Sequence, residues 1–190
     1  MSDLRIAIIV GSTRPGRNST AVADWVLQHA ASRPVDYQIV DLADHPLPHF
    51  DEALPPLLGQ YANEHTKSWA AEIARFDGFV FVTPEYNHST SGVLKNAIDY
   101  LNTEWNNKAA AFVSYGNAGG ARAVEHLRGI VSGLQIAHVS RQVGFSIFTD
   151  FERMSTFTPD PRHSAIAEGM FTQLEAWTAA LKPLRARPKE

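Results

Sequence analysis

The sequence predicts an α/β fold: a three-layer α/β/α sandwich around a five-stranded parallel sheet. Short apolar runs rich in β-branched residues alternate about five times with stretches whose apolar residues recur at helical spacing. The strand-like runs are apolar at successive positions, as strands buried on both faces are. With 190 residues, 44% hydrophobic and 19% charged, the chain suits one domain with a sizeable core.

Leu4 to Val10 is the first such run, and from about Asn18 the positions Val22, Trp25, Val26 and His29 follow a helical face. Val35 to Val40 makes a second strand ending at Asp41, followed by a proline-rich loop to Gly59 with Pro46, Pro48, Pro55 and Pro56. Ala62, Thr66, Trp69, Ile73 and Phe76 line the next helix. Gly78 to Thr83 is a third strand, stopped by Pro84. Leu94, Ala97, Ile98 and Leu101 mark a helix, and Ala109 to Tyr115 a fourth strand that ends in Gly116-Asn117-Ala118-Gly119-Gly120. Val124, Leu127, Val131 and Leu134 carry the helix after it, and Gln135 to Val143 should contain the fifth strand. Asp160-Pro161 supplies an N-cap and a first-turn proline for a last helix bearing Ile166, Met170, Leu174, Trp177 and Leu181. Five strands make the flavodoxin-like order 2-1-3-4-5 the natural one, with ligands expected outside the C-terminal strand ends. A single domain is expected over residues 1–182, with a loose tail at 183–190.

Composition removes several function classes. The formal charge is -3, from 17 basic and 20 acidic residues, which argues against nucleic-acid binding. Cysteine is absent, so disulfides, thiolate metal sites, iron–sulfur clusters and cysteine nucleophiles are excluded. Met1-Ser2-Asp3 leads straight into a strand-like run, and no apolar stretch approaches the ~18 residues of a membrane span. A cytoplasmic protein without a membrane segment is the expectation.

Two loops carry the chemistry. The first strand opens into Gly11-Ser12-Thr13-Arg14-Pro15-Gly16-Arg17-Asn18-Ser19-Thr20 and then a helix. Helix N-termini present unpaired N–H groups and partial positive charge, so they attract phosphate. The hydroxyls of Ser12, Ser19 and Thr20, the Asn18 amide and the guanidinium groups of Arg14 and Arg17 add donors. A solvated turn with a plain N-cap is the alternative. Gly11 and Gly16 have Walker A spacing, but Arg17-Asn18 replace its lysine and hydroxyl, and Thr13 breaks a dinucleotide fingerprint. Asp41 more simply starts a turn than binds a ribose. After the third strand, Thr83-Pro84-Glu85-Tyr86-Asn87-His88-Ser89-Thr90-Ser91-Gly92 offers backbone donors, an amide and an aromatic ring at the same edge.

These two segments, the second continuing as Val93-Leu94-Lys95-Asn96-Ala97-Ile98-Asp99-Tyr100, closely resemble the NADPH-dependent FMN reductase family, which includes quinone and chromate reductases. Val113 to Arg122 looks like that family's third flavin loop. The resemblance implies FMN as cofactor and NADPH or NADH as co-substrate, in a homodimer or sometimes a tetramer. It implies that Ser12, Arg14, Asn18 and Ser19 hold the phosphate, and that Pro84, Glu85, Tyr86 and Asn87 border the isoalloxazine and ribityl chain. Ser114 and Gly116 would close the other side, and Arg17 and Thr20 join the set by proximity. Ser91 and Tyr100 replace the family's proline and tryptophan, which leaves FMN binding unchallenged.

Other residues invite chemistry and are set aside. His45 and His49 are four apart, but Pro46 and Pro48 prevent a helix from presenting both, so no metal site is expected. Ser89, Ser91 and Ser114 lack a nucleophile-elbow setting, and Lys95 with Asp99 reads as a surface i,i+4 pair. Trp105 fits either core or a subunit contact, and an apolar patch over Leu94 to Trp105 would suit the latter. The expected function is an FMN-dependent NAD(P)H oxidoreductase that passes hydride to a quinone, free flavin, azo compound or metal oxyanion. The flavin carries the reaction, and no side chain is assigned as acid or base. The alternatives are a flavodoxin-type electron carrier without NAD(P)H turnover and a non-catalytic flavin-binding protein.

Overall fold

Apolar side chains at successive positions of the central strands put both faces of one sheet out of reach of water. The computed structural model describes residues 4–185. Its first half runs β1 (Arg5–Val10), α1 (Ser19–Ala30), β2 (Asp36–Asp41), α2 (Glu64–Ala74), β3 (Gly78–Pro84) and α3 (Gly92–Asp99). The second half is β4 (Lys108–Gly116), α4 (Ala121–Ser132), β5 (Ile136–Ser146), β6 (Phe151–Glu152), β7 (Thr156–Phe157) and α5 (Arg162–Arg185). The five long strands pair in parallel in the order β2-β1-β3-β4-β5, which is the flavodoxin-like sheet.

Alternate residues of a strand face opposite sides, and the two cores divide accordingly. Ile6, Ile8, Val10, Val80 and Val82 pack with Val22 and Val26 of α1 and Met170, Phe171 and Leu174 of α5. Ala7, Ile9, Phe79 and Phe81 pack with Trp69 of α2, Leu94 and Ile98 of α3 and Leu127 of α4. Trp105 belongs to this second layer: it is fully buried, its ring centroid lies 4.9 Å from that of Phe79, and its Nε1 donates to the Ile98 carbonyl at 3.1 Å. The apolar patch anticipated over Leu94 to Trp105 is therefore turned inward. Leu94, Ala97, Ile98, Leu101 and Trp105 all fill this subunit's own core.

The C-terminal part differs most from expectation. β5 extends to Ser146 and carries a bulge, its register to β4 shifting between Ala110 and Phe112. The Arg128 guanidinium grips that irregularity, donating to the carbonyls of Val139 and Ser140 and to the Gln142 side chain at 2.8–3.0 Å. A small hairpin, β6–β7, follows. It turns at Arg153 and Met154, both at positive φ. The hairpin hangs from Asp150, whose buried carboxylate accepts from the Ser146 and Asp160 backbones at 2.9 and 3.1 Å and from His163 Nε2 at 2.9 Å. Burial pushes its pKa up, but these hydrogen bonds and the His163 ring outweigh it and hold the group below the usual carboxylate range.

α5 buries Ala167, Met170, Phe171, Leu174 and Thr178, while Ile166 and Trp177 are partly exposed, at 38% and 39%. The helix does not stop at Lys182. It runs through Pro183 to Arg185, held by ion pairs from Lys182 and Arg185 to Asp77 and by Arg185 Nη1 on the Asn107 carbonyl at 2.9 Å. Residues 186–190 of the anticipated tail lie outside the described residues. Among the described residues no helix is long and apolar enough to cross a membrane.

Because β1 is flanked by β2 and β3, the chain leaves the C-terminal ends of β1 and β3 toward opposite faces, and a crevice opens between the two loops.

Candidate functional site

The loop after β1 begins at a forced glycine. Gly11 N donates to the Val82 carbonyl at 2.8 Å, and a Cβ at this position would lie 2.7 Å from that oxygen and 2.8 Å from Leu94 Cδ2. A tight turn follows: Arg17 N donates to the Arg14 carbonyl at 3.1 Å across Pro15 and Gly16, with Gly16 at φ +67°. Proline then glycine with positive φ is the pair that a type II turn favours. The turn sets Arg14 and Arg17 at its two ends, immediately before α1.

The two arginines have different surroundings. Arg17 Nη2 pairs with Asp41 Oδ2 at 2.5 Å, and its buried Nε has no partner. Asp41 also caps the turn after β2, accepting from Ala43 N at 2.9 Å. Arg14 is exposed and enters no ion pair found among the described residues. Ser19, fully buried in the first turn of α1, lies beside the Tyr115 phenol, yet its hydroxyl has no hydrogen-bond partner of good geometry. Asn18 does not cap the helix with its side chain; it donates to the Met154 carbonyl at the hairpin tip, 3.0 Å away. Thr20 Oγ1 donates back to the Arg17 carbonyl at 3.3 Å. Burial pushes the Tyr115 phenol up to about 12, against the pull of Ser19 and of the positive Arg14 and Arg17. An uncapped helix start, an unpaired arginine and two orphaned buried polar groups therefore meet in one place. That donor set fits a phosphate monoester.

The loop after β3 is a compact turn. Tyr86 and Ser89 exchange backbone hydrogen bonds at 2.9 and 3.0 Å around Asn87 and His88, which sit at φ +50° and +69°. Two central residues with positive φ are what a type I′ turn requires. Tyr86 reaches back so that its hydroxyl meets Ser12 Oγ at 3.1 Å, joining the two loops. Glu85 turns the other way: its buried carboxylate accepts from Arg122 Nε at 2.6 Å and Arg122 N at 3.2 Å, at the start of α4. Ser114 lies beneath the loop after β4, donating to the Gly119 carbonyl at 2.6 Å, while Gly116 ends the strand.

Between these loops lies a cleft of about 810 Å³. Ser12, Arg14 and Tyr86, all anticipated from the sequence, line it. Asn18, Ser19 and Thr20, at the start of α1, are not among its lining residues, and the Glu85 and Ser114 side chains are engaged behind the loops. The outer wall is Leu47, Pro48 and His49, and the floor includes Ser91 and Val93. Sequence reasoning missed this wall, because a proline-rich loop carries no periodicity. Its anchors were within the recognised motif. Asn96 Nδ2 donates to the Pro48 carbonyl at 2.7 Å, and its Oδ1 accepts from Phe50 N at 3.1 Å. The Tyr100 hydroxyl adds bonds to the Pro48 carbonyl and Asp51 Oδ1 at 3.1 and 3.0 Å. Asn96→Ala is expected to cost about 1 kcal/mol of stability and to speed backbone amide exchange at residues 47–50. Unchanged exchange there would refute the clamp.

The sequence profile of the NADPH-dependent FMN reductase family matches residues 4–150. An NAD(P)H-dependent FMN reductase of Schizosaccharomyces pombe is 42% identical over 135 residues, which is 70% of this chain and 68% of the relative. An FMN-dependent NADPH-azoreductase of Staphylococcus saprophyticus is 31% identical over 155 residues, covering 80% and 81% of the two chains. Among solved structures, the NAD(P)H:acceptor flavoenzyme FerB of Paracoccus denitrificans superposes with a TM-score of 0.69 at 22% identity, over 95% of this chain and 98% of that one. At that identity the superposition speaks for the fold.

Proposed function

This chain belongs to the NADPH-dependent FMN reductase family and is an NAD(P)H-dependent oxidoreductase with FMN as its cofactor; from that premise we propose that it reduces flat, conjugated organic acceptors in the cleft beside Tyr86. The carrying observation is the meeting of Arg14, which lines that cleft, with the unpartnered Arg17 Nε and Ser19 hydroxyl around the Tyr115 phenol, at the uncapped start of α1. A flavin held there would supply the hydride-transfer chemistry that links NAD(P)H to the second substrate.

The chain's own residues bind and orient. Arg14, Ser19 and the first N–H groups of α1 would hold the phosphate, with Ser12, Arg17, Asn18 and Thr20 shaping that end. Tyr86 and Asn87, on a turn rigid enough to keep two positive φ values, would border the ring system together with Pro84. Glu85, Ser114 and Gly116 would fix the opposite loop.

The acceptor class follows from the walls of the cleft. Leu47, Pro48 and Val93 are apolar, and Lys95 is paired with Asp99 at 2.5 Å. An uncharged quinone or azo compound can shed its water against such walls, whereas a hydrated oxyanion would have to compete with the flavin phosphate for Arg14, the unpaired cation among the described residues lining the cleft. The azoreductase relative supports the same reading.

The second part of the proposal is a homodimer or a pair of such dimers, which the family resemblance implies. The reliance on NAD(P)H fits the cytoplasm.

Anaerobic mixing of the FMN-loaded protein with NADPH tests turnover: the flavin band is expected to bleach rapidly. A persistent band would instead favour a one-electron carrier. Equal kcat/KM for a benzoquinone and for chromate would overturn the acceptor assignment.

A further inference from the structure

We propose that Ser91 is a positioning residue for the phosphate end of the cofactor site, acting through the backbone of Gly11. This rests on the FMN reading above. Ser91 is buried at the start of α3, in extended conformation at φ −66° and ψ 146°. Its single hydroxyl makes two bonds: Oγ accepts from Leu94 N at 3.2 Å, which caps α3, and donates to the Gly11 carbonyl 80 positions earlier.

The second bond matters because of what Gly11 controls. Its N–H is fixed by the Val82 carbonyl and its Cα is wedged against β3 and Leu94, with no room for a Cβ. Its carbonyl is held by Ser91. The peptide joining Gly11 to Ser12 therefore has a set plane, and the chain leaves β1 in a set direction. Ser12 is next, met by the Tyr86 hydroxyl, and Arg14 two residues further is free of any intramolecular ion pair found among the described residues. Without the tether, the Gly11 carbonyl loses its side-chain donor and the loop gains freedom at its root. Freedom so lost on binding is paid for in affinity. The ring end of the site rests on the Tyr86–Ser89 turn, which has its own backbone bonds, so the loss should fall on the phosphate.

Flavin fluorescence quenching gives Kd for FMN and for riboflavin, which lacks the phosphate. Ser91→Ala is expected to weaken FMN by three- to tenfold, the worth of about one hydrogen bond, and to leave riboflavin within twofold. Ser91→Thr keeps donor and acceptor and should restore FMN binding. Ser91→Gly separates the two bonds, since glycine is a tolerable N-cap but has no hydroxyl; it should bind FMN as weakly as the alanine variant. Two results would overturn the proposal: an unchanged FMN-to-riboflavin affinity ratio in Ser91→Ala, whether neither flavin or both weaken, or wild-type FMN affinity in Ser91→Gly. A wild-type protein that quenches neither flavin would instead sink the cofactor-site reading, and this inference with it.

Discussion

Arg14→Ala is expected to raise the Kd for FMN about a hundredfold while leaving that for riboflavin within twofold. A hydrogen bond to a charged group contributes roughly 1.5–3 kcal/mol, which is a factor of about ten to a hundred and fifty. The upper part of that range applies because no carboxylate among the described residues pairs with this guanidinium. Arg14 enters no ion pair found among the described residues, while Arg17, three positions on, is already paired with Asp41 at 2.5 Å. A phosphate arriving at α1 can recruit Arg14 at no cost in broken bonds. Arg17→Ala should therefore weaken FMN less, and in part through the loop it braces. Salt provides a second check. FMN affinity of the wild type should fall with ionic strength, and the slope should flatten in Arg14→Ala. Equal loss for both flavins, or an unaltered FMN Kd, would remove Arg14 from the phosphate site.

The difference between the two arginines was not legible in the sequence. Gly11 to Thr20 announced a phosphate loop by its chemistry, and Pro15-Gly16 announced its turn. That Asp41 would neutralise one of the two cations depends on β2 lying beside β1, a contact between residues 24 positions apart. The same limit applies to Glu85 and Ser114. Their place in the motifs marks them for the flavin site, and only the fold shows that their side chains are engaged by Arg122 and the Gly119 carbonyl. The parallel sheet was legible because burial on both faces leaves runs such as Phe79 to Val82 no polar positions. The bulge in β5 was not, because its stabiliser is Arg128 on a neighbouring helix. Nor was the β6–β7 hairpin, whose turn places Arg153 and Met154 at positive φ without the glycine or asparagine that marks such a turn. Residues 183–185 of the tail expected to be loose are helical, because Asp77 holds the cations on either side of Pro183.

A second large effect concerns stability at the opposite end of the sheet. Lys108 opens β4 and is buried, only 4% exposed, with Nζ donating to the Ile73 carbonyl at 3.0 Å and lying 5.3 Å from the Phe79 ring centroid. Burial, aided by the positive Arg185 and opposed by Asp77 and Glu104, lowers its pKa from the ordinary 10.5 to about 7. The sign follows from proton counting. Below about pH 7 both folded and unfolded chains carry the proton, and the folded state bears the full cost of a buried charge. Between about 7 and 10.5 the folded chain has released the proton and the unfolded chain has kept it, so this group makes stability rise with pH. The slope reaches about 1.4 kcal/mol per pH unit, and the whole window is worth several kcal/mol. Lys108→Met keeps the length and the apolar stem, and it abolishes the titration at the loss of one hydrogen bond. The variant should be more stable than wild type near pH 6 and lose that advantage steadily toward pH 10. Urea unfolding followed by tryptophan fluorescence across that range measures the difference. Parallel curves for the two proteins would show that Lys108 stays charged in the fold, with Asp77 and Glu104 outweighing its burial.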